Sequence, residues 1–337
     1  MDVTTGPSAV EREHTDGAMP PEPARAVAAV SACAARIAES VGSVLAGRQE
    51  STETSLACLF SGGHLLIEDI PGVGKTLLAQ ALAASVGGTF HRIQGTPDLL
   101  PGDVTGTMVP HGDGFELTFR AGPIFANVVV FDELNRANPR TQSALLEATE
   151  EAAVTIDGRT RELPKPFLLV ATQNPIEMTG TYALGEGALD RFAAVVTPGR
   201  ASADDEVEVL TGRRGRSILH TVKPVVEIAD VEAARETVRN VYVADAIARY
   251  VVALLDATRQ HPRVRLGAST RGGVALVGLA RARAAMNGRH YVVPEDVITL
   301  AGPALAHRVL VAGGGGSVQA GRAVVEECLA QVPPPTV

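Results

Sequence analysis

A chain of 337 residues, 45% hydrophobic and 20% charged with no tryptophan, has the make-up of a folded protein and is long for one ordinary core. Its net charge of −8 lacks the basic footprint of a nucleic-acid binder, so none is expected as a partner. The longest apolar runs, 128–131 and 167–171, fall far short of the roughly 20 residues that span a bilayer, and no membrane insertion is expected.

Residues 1–23 are polar, acidic and proline-containing and read as a disordered tail. They lack the basic start and apolar run of a secretory signal, which predicts a cytoplasmic protein. Spaced apolar residues over 24–41 predict a helix. Short β-rich runs then alternate with helical ones: 64–68 and 75–86, 90–94, 128–131 and 139–151, 167–172, and 193–196. This alternation predicts an α/β fold, a parallel sheet with helices on both faces, over residues 24–198. Two hairpins interrupt it. Residues 107–109 and 115–119 flank the turn His111-Gly112-Asp113-Gly114, and 154–156 leads through Asp157-Gly158 into 160–163. From Ser202 the pattern turns helical, with starts at Ser202, Asp230, Asp245, Ser269 and Pro294, predicting an all-helical domain over 199–312. Residues 313–337 comprise a glycine-rich spacer and a short helix, 318–331. The three cysteines are too far apart for a disulfide framework or a metal site and read as buried thiols.

Three strand ends carry chemistry. The first, HLLIEDIPGVGKT over 64–76, is a strand, a glycine-rich turn and a helix start, the context a phosphate-binding loop requires. Backbone N–H groups of Pro71-Gly72-Val73-Gly74-Lys75-Thr76-Leu77, proline excepted, curl around a polyphosphate at a helix N-terminus. Lys75 is placed to reach the β- and γ-phosphates of ATP, and the Thr76 hydroxyl to coordinate Mg²⁺. Asp69 stands where the usual pattern has its first glycine. In the second, 127–133, a buried strand ends in Asp132 and Glu133. Asp132 suits a role holding Mg²⁺ through water, and Glu133 a role as general base toward the attacking water. The third, 167–175, ends in Thr172-Gln173-Asn174. If this strand lies between the other two, the Asn174 amide meets the water or the γ-phosphate.

These strings, in this order, resemble the MoxR family of AAA+ ATPases from about Ser43 to His307. The resemblance is carried by 68–76, RIQGTPDLLPGDVTG at 92–106, GPIFAN at 122–127, DELNRA at 132–137, TQSALLEA at 141–148 and ATQNPIE at 171–177. LDRF at 189–192, GASTR at 267–271 and YVVPEDV at 291–297 complete it. It implies an ATP hydrolase that forms a homo-oligomeric ring, a hexamer in the family's usual form, with the nucleotide between the sheet domain and a helical lid. Under it Asn174 is similar to the sensor on the fourth strand, Arg271 to the lid arginine that touches the γ-phosphate, and Arg191 to the arginine finger supplied in trans. Arg136 is a second candidate for an intersubunit contact. Ala183 and Gly185 replace the family's prolines ahead of Arg191, and Thr270 replaces the proline before Arg271.

The resemblance further implies a machine in which hydrolysis moves the lid and hairpins to remodel a partner protein, possible partners including those with von Willebrand factor A domains. A second reading is a nucleotide-gated assembly module with little hydrolysis; the presence of Glu133, Asn174, Arg191 and Arg271 together speaks for turnover.

Overall fold

The structure, a computed structural model, describes residues 21–45, 47–70, 72–110, 117–175, 181–313 and 317–336. Pro71, the turn at 111–114 with Phe115, and most of the glycine spacer lie outside the described residues.

The first helix, α1 (Pro21–Val44), starts three residues before the predicted fold, with proline in its opening turn, a position that needs no N–H. A helix absent from the sequence reading follows, α2 (Gln49–Ser61). Then come β1 (Leu65–Glu68), α3 (Lys75–Ser85), β2 (Phe90–Gln94) and the short α4 (Pro101–Thr105). The first hairpin is β3 (Gly106–Pro110) and β4 (Leu117–Ala121); β5 (Val128–Asp132) and α5 (Pro139–Glu151) lead to the second, β6 (Ala153–Ile156) and β7 (Arg159–Glu162). Next are β8 (Leu168–Gln173), α6 (Glu186–Leu189) and β9 (Ala194–Val196). The C-terminal part holds α7 (Ala203–Leu210), α8 (Ile228–Arg239), α9 (Asp245–Gln260), β10 (Val264–Leu266), α10 (Thr270–Met286), α11 (Pro294–Leu305), β11 (Leu310–Val311) and α12 (Val318–Gln331).

Five parallel strands form one sheet in the order β2-β5-β8-β1-β9. The phosphate-loop strand and the acid strand are thus both neighbours of β8, the arrangement on which the reading of Asn174 depended. Alternation along each strand divides the sheet's side chains between two apolar layers. Leu65, Ile67, Val128, Val130, Leu168 and Val170 join the layer that includes α1, α2 and α3. Leu66, Val129, Phe131, Leu169, Ala171 and Val195 join Leu145, Leu146 and Ala148 of α5. A strand buried on both faces reads as an unbroken apolar run, which is what these segments are.

Both predicted hairpins are antiparallel pairs, and they touch: the Arg161 guanidinium of β7 lies 3.9 Å above the Phe119 ring of β4. The lid is not purely helical, because β10 and β11 pair through Val264↔Val311 and Leu266↔Leu310. This two-stranded ladder satisfies backbone groups where the chain leaves α9 and where it leaves α11. The terminal helix α12 packs on α9 and α11 through Val324, Val325 and Cys328.

The hydrophobic core does not break at residue 198. Val30, Ile37 and Val41 of α1 share a layer with Leu254 of α9, Leu276 and Leu279 of α10 and Leu300 of α11. Two arginines, the half-buried Arg235 and the buried Arg308, reinforce the joint. Arg235 of α8 donates to Leu59 O at 2.8 Å and Phe167 O at 3.1 Å, and Arg308 donates to Phe192 O at 2.8 Å and to Asp190 Oδ1 at 2.6 Å. One helix among the described residues, Glu22–Val44, is long and apolar enough to cross a membrane, contrary to the estimate from apolar runs, because alanines lengthen its apolar stretch. Its Val27, Val30, Ile37 and Val41 are buried in the protein interior.

Candidate functional site

Gly74 takes φ +90° as the residue preceding α3, a left-handed conformation that glycine adopts without strain. It turns the chain so that Lys75 and Thr76 occupy the first turn of α3. Lys75 Nζ donates to Gln173 O at 3.0 Å and to Asp69 O, spanning the loop and the tip of β8. Burial pulls the Lys75 ammonium below its ordinary range, and the carboxylates of Asp69, Glu133, Glu68 and Asp132 oppose that shift. Asp69, in place of the usual glycine, accepts from Ile70 N–H at 2.7 Å on one oxygen and from Gly199 N–H at 2.6 Å on the other. It therefore ties the phosphate loop to the segment after β9.

At the tip of β5, Asp132 Oδ1 accepts the Thr76 hydroxyl at 2.8 Å and the Thr172 hydroxyl at 3.3 Å. Its Oδ2 accepts from Arg92 Nε at 2.6 Å. A hydroxyl and a carboxylate oxygen side by side form an all-oxygen donor set that fits a small, hard divalent cation. Glu133 follows at φ 55°, ψ 54°, a left-handed conformation uncommon for a residue with a Cβ. Its N–H donates to Thr172 Oγ1 at 2.9 Å, and its carboxylate accepts from Gln94 Nε2 at 3.1 Å and Arg136 Nη1 at 3.2 Å. Gly95 makes this turn possible: a Cβ there would lie 2.2 Å from Glu133 O. Arg136, read as an intersubunit candidate, engages the glutamate of its own chain.

A cleft of about 820 Å³ runs along this edge and is lined by Gly72, Val73, Gly74, Lys75, Thr76 and Leu77 with Glu133, Thr172 and Asn174. Its far wall comes from the end of α1 and from α7, through Val44, Leu45, Val209 and Leu210. The Asn174 backbone O accepts from Asn135 Nδ2 at 3.1 Å, which holds the tip of β8 against the segment after β5. Of the residues proposed from the sequence, the phosphate loop, both acids and Asn174 therefore converge.

Arg191 and Arg271 do not line that cleft. They meet one another elsewhere, on Glu150 at the end of α5: Arg191 Nη2 lies 3.0 Å from Glu150 Oε2, and Arg271 Nη2 bonds Oε1. Asp190 is bonded by Arg308 rather than by Arg191. Gln94, Arg92 and Glu150 were not singled out in the sequence reading. The first two stood inside a quoted motif string, and Gln94 and Asp132 are paired in register across β2 and β5.

Residues 64–194 match the ATPase family associated with various cellular activities (AAA), and residues 256–327 match an AAA lid domain. The chain is 45% identical to the uncharacterized protein YeaC of Bacillus subtilis (strain 168), over 81% of this chain and 85% of that one. It is 38% identical to chaperone MoxR1 of Mycobacterium tuberculosis, over 87% and 79% of the two chains. A solved Cytophaga hutchinsonii protein, assigned as an ATPase, superposes with TM-score 0.83 at 33% identity, covering 93% of this chain and 98% of its own.

Proposed function

This chain belongs to the MoxR family of AAA+ ATPases and is an ATP hydrolase, and from that premise we propose that it works as a cytoplasmic, Mg²⁺-dependent remodelling chaperone in a homo-oligomeric, hexameric ring. The observation that carries the reading is the division of the site. The phosphate loop, Glu133 and Asn174 line one cleft, with Asp132 bonded to Thr76 beneath it, whereas Arg191 and Arg271 sit together away from it.

In this reading Gly72, Val73, Gly74 and Leu77 cradle the phosphates, within the motif that Pro71, outside the described residues, also belongs to, and Lys75 meets the β- and γ-phosphates. Thr76 and Asp132 would hold Mg²⁺, which when bound neutralises charge on the phosphate oxygens. Glu133 orients and deprotonates the attacking water, and Asn174 hydrogen-bonds that water or the γ-phosphate. Arg191 acts on the cleft of the neighbouring subunit, and Arg271, expected from the sequence to serve the nucleotide under its own lid, is reassigned to the same neighbouring cleft because it lies with Arg191 on Glu150 and away from its own chain's cleft. Residues 24–198 carry the nucleotide, 199–312 form the lid, and residues 1–23 and 313–337 flank them. The work is applied to a partner protein complex, with von Willebrand factor A-domain proteins as the partner class the family resemblance suggests.

The test mixes Arg191→Ala, which keeps its phosphate loop, with Lys75→Ala, which keeps its arginines. Each alone is expected to be inactive, and the mixture to recover part of wild-type turnover at interfaces joining an intact loop to intact arginines. No recovery in mixtures that native mass spectrometry shows to be co-assembled would remove the trans assignment.

A further inference from the structure

Glu150 closes α5, far in sequence from both arginines it binds. Its two carboxylate oxygens are used separately: Oε2 accepts from Arg191 Nη2 at 3.0 Å, and Oε1 accepts from Arg271 Nη2. Arg191 lies between α6 and β9, and Arg271 in the first turn of α10, so the two guanidinium groups come from different parts of the fold. Like charges held this close repel, and each has little else fixing its position. Arg191 Nη1 donates to Gly187 O at 2.8 Å, and Arg271 Nη1 stands 3.9 Å from Asp190 Oδ2. Asp190 is itself engaged by the buried Arg308 at 2.6 Å. The carboxylate between them is the element that sets their spacing and direction. The two arginines in turn hold the Glu150 carboxyl below the usual carboxylate range, Arg271 most strongly. Three guanidinium groups against two carboxylates leave the cluster one positive charge in excess, available to an outside anion.

We propose that Glu150 is a positioning residue, a bracket that aligns Arg191 and Arg271 as a pair and so determines how well they stabilise the neighbouring subunit's γ-phosphate during hydrolysis. This rests on the trans reading given above. An alternative role would make the carboxylate a mask, occupying the arginines until phosphate displaces it. The two roles predict opposite signs, since loss of a bracket slows turnover and loss of a mask speeds it. The geometry favours the bracket: Glu150 spends one oxygen on each arginine, and the Arg271 guanidinium keeps N–H groups that the carboxylate does not occupy. Arg271 keeps about half of its side chain exposed.

The experiment places Glu150→Gln in one partner at a time of the Arg191→Ala and Lys75→Ala mixture. In that mixture only the Lys75→Ala subunits supply working arginines. Glu150→Gln in the Lys75→Ala partner is expected to lower the recovered turnover roughly tenfold to a hundredfold with the KM for ATP unchanged, as a displaced catalytic group does. In the Arg191→Ala partner the same substitution is expected to change nothing, because that subunit's arginine pair is already broken. Glu150→Asp, which keeps the charge on a shorter arm, is expected to restore part of the rate that Glu150→Gln loses. Equal loss from either placement would assign Glu150 a purely structural role, and no loss or a gain in rate would overturn the bracket. Failure of the parent mixture to recover any turnover, with mixed rings present, would instead overturn the trans reading and the inference with it.

Discussion

Thr76 donates its hydroxyl to Asp132 Oδ1 across 2.8 Å, so the first turn of α3 and the tip of β5 are joined although 56 residues separate them. Two oxygen donors that would otherwise sit on independent elements are thereby held at one spacing before any ion arrives.

Thr76→Ala removes one donor and the constraint on the other. It is expected to raise the Mg²⁺ concentration needed for half-maximal turnover by at least tenfold while leaving the thermal unfolding temperature within a few degrees, since a single hydrogen bond contributes about 1 kcal/mol. Titrating Mg²⁺ at saturating ATP measures this. An unchanged Mg²⁺ dependence would remove Thr76 from the metal site.

Glu133→Gln is expected to keep ATP binding by calorimetry while turnover falls by about 10²–10⁴, the range assigned to a general base. Gly95→Ala reaches the same group from beneath. Because a Cβ at Gly95 would collide with Glu133 O, that variant is expected to lose turnover with nucleotide affinity retained. If Gly95→Ala turns over ATP at the wild-type rate, the placement of Glu133 does not depend on this close approach.

The buried His64 predicts a pH dependence of stability. Its Nδ1 accepts the Leu169 N–H at 3.1 Å and its Nε2 faces Thr149 O at 2.9 Å, a pattern only the neutral ring satisfies. Burial lowers its pKa from 6.5 to about 4. Between those values the unfolded chain binds a proton that the folded chain refuses, so stability falls as pH drops from about 6.5 toward 4, by at most about 3 kcal/mol from this group. His307, also lowered by burial, adds a loss of the same sign. Urea unfolding of wild type and His64→Gln across this window checks the share of His64: the variant is expected to show the shallower slope, and equal slopes would refute it.

Much of this site was legible because its parts are local. A strand, a glycine turn and a helix start are contiguous in the phosphate loop, and an apolar run ending in two acids is contiguous in β5. What stayed hidden depends on distance or on an inverted pattern. Arg191 and Glu150 are 41 residues apart and Arg271 and Glu150 are 121 apart, and no periodicity connects them. Asp69 finds Gly199 across 130 residues. Helix α2 escaped because it buries Ser51, Thr52, Thr54 and Ser55, which an apolar-stripe criterion assigns to solvent. The structure accommodates such hydroxyls by returning them to the helix backbone: Thr52 donates to Arg48 O at 2.9 Å and Ser55 to Ser51 O at 2.6 Å.

The interior that runs unbroken from α1 into α10, fastened by Arg235 and Arg308, bears on how mechanical work leaves the molecule. Swinging the C-terminal helices away from the sheet would expose apolar surface at about 25 cal/mol per Å² and would strip the half-buried Arg235 and the buried Arg308 of their carbonyl partners. In the ring proposed above, a stroke taken inside one chain would therefore be costly, and the cheaper displacement would be that of whole subunits rocking against one another like the staves of a loosened barrel. Fluorophores placed on α5 and on α9 of the same chain are then expected to hold a constant separation through the ATP cycle, while the separation between neighbouring chains changes; a shift within the chain would mean that this joint opens.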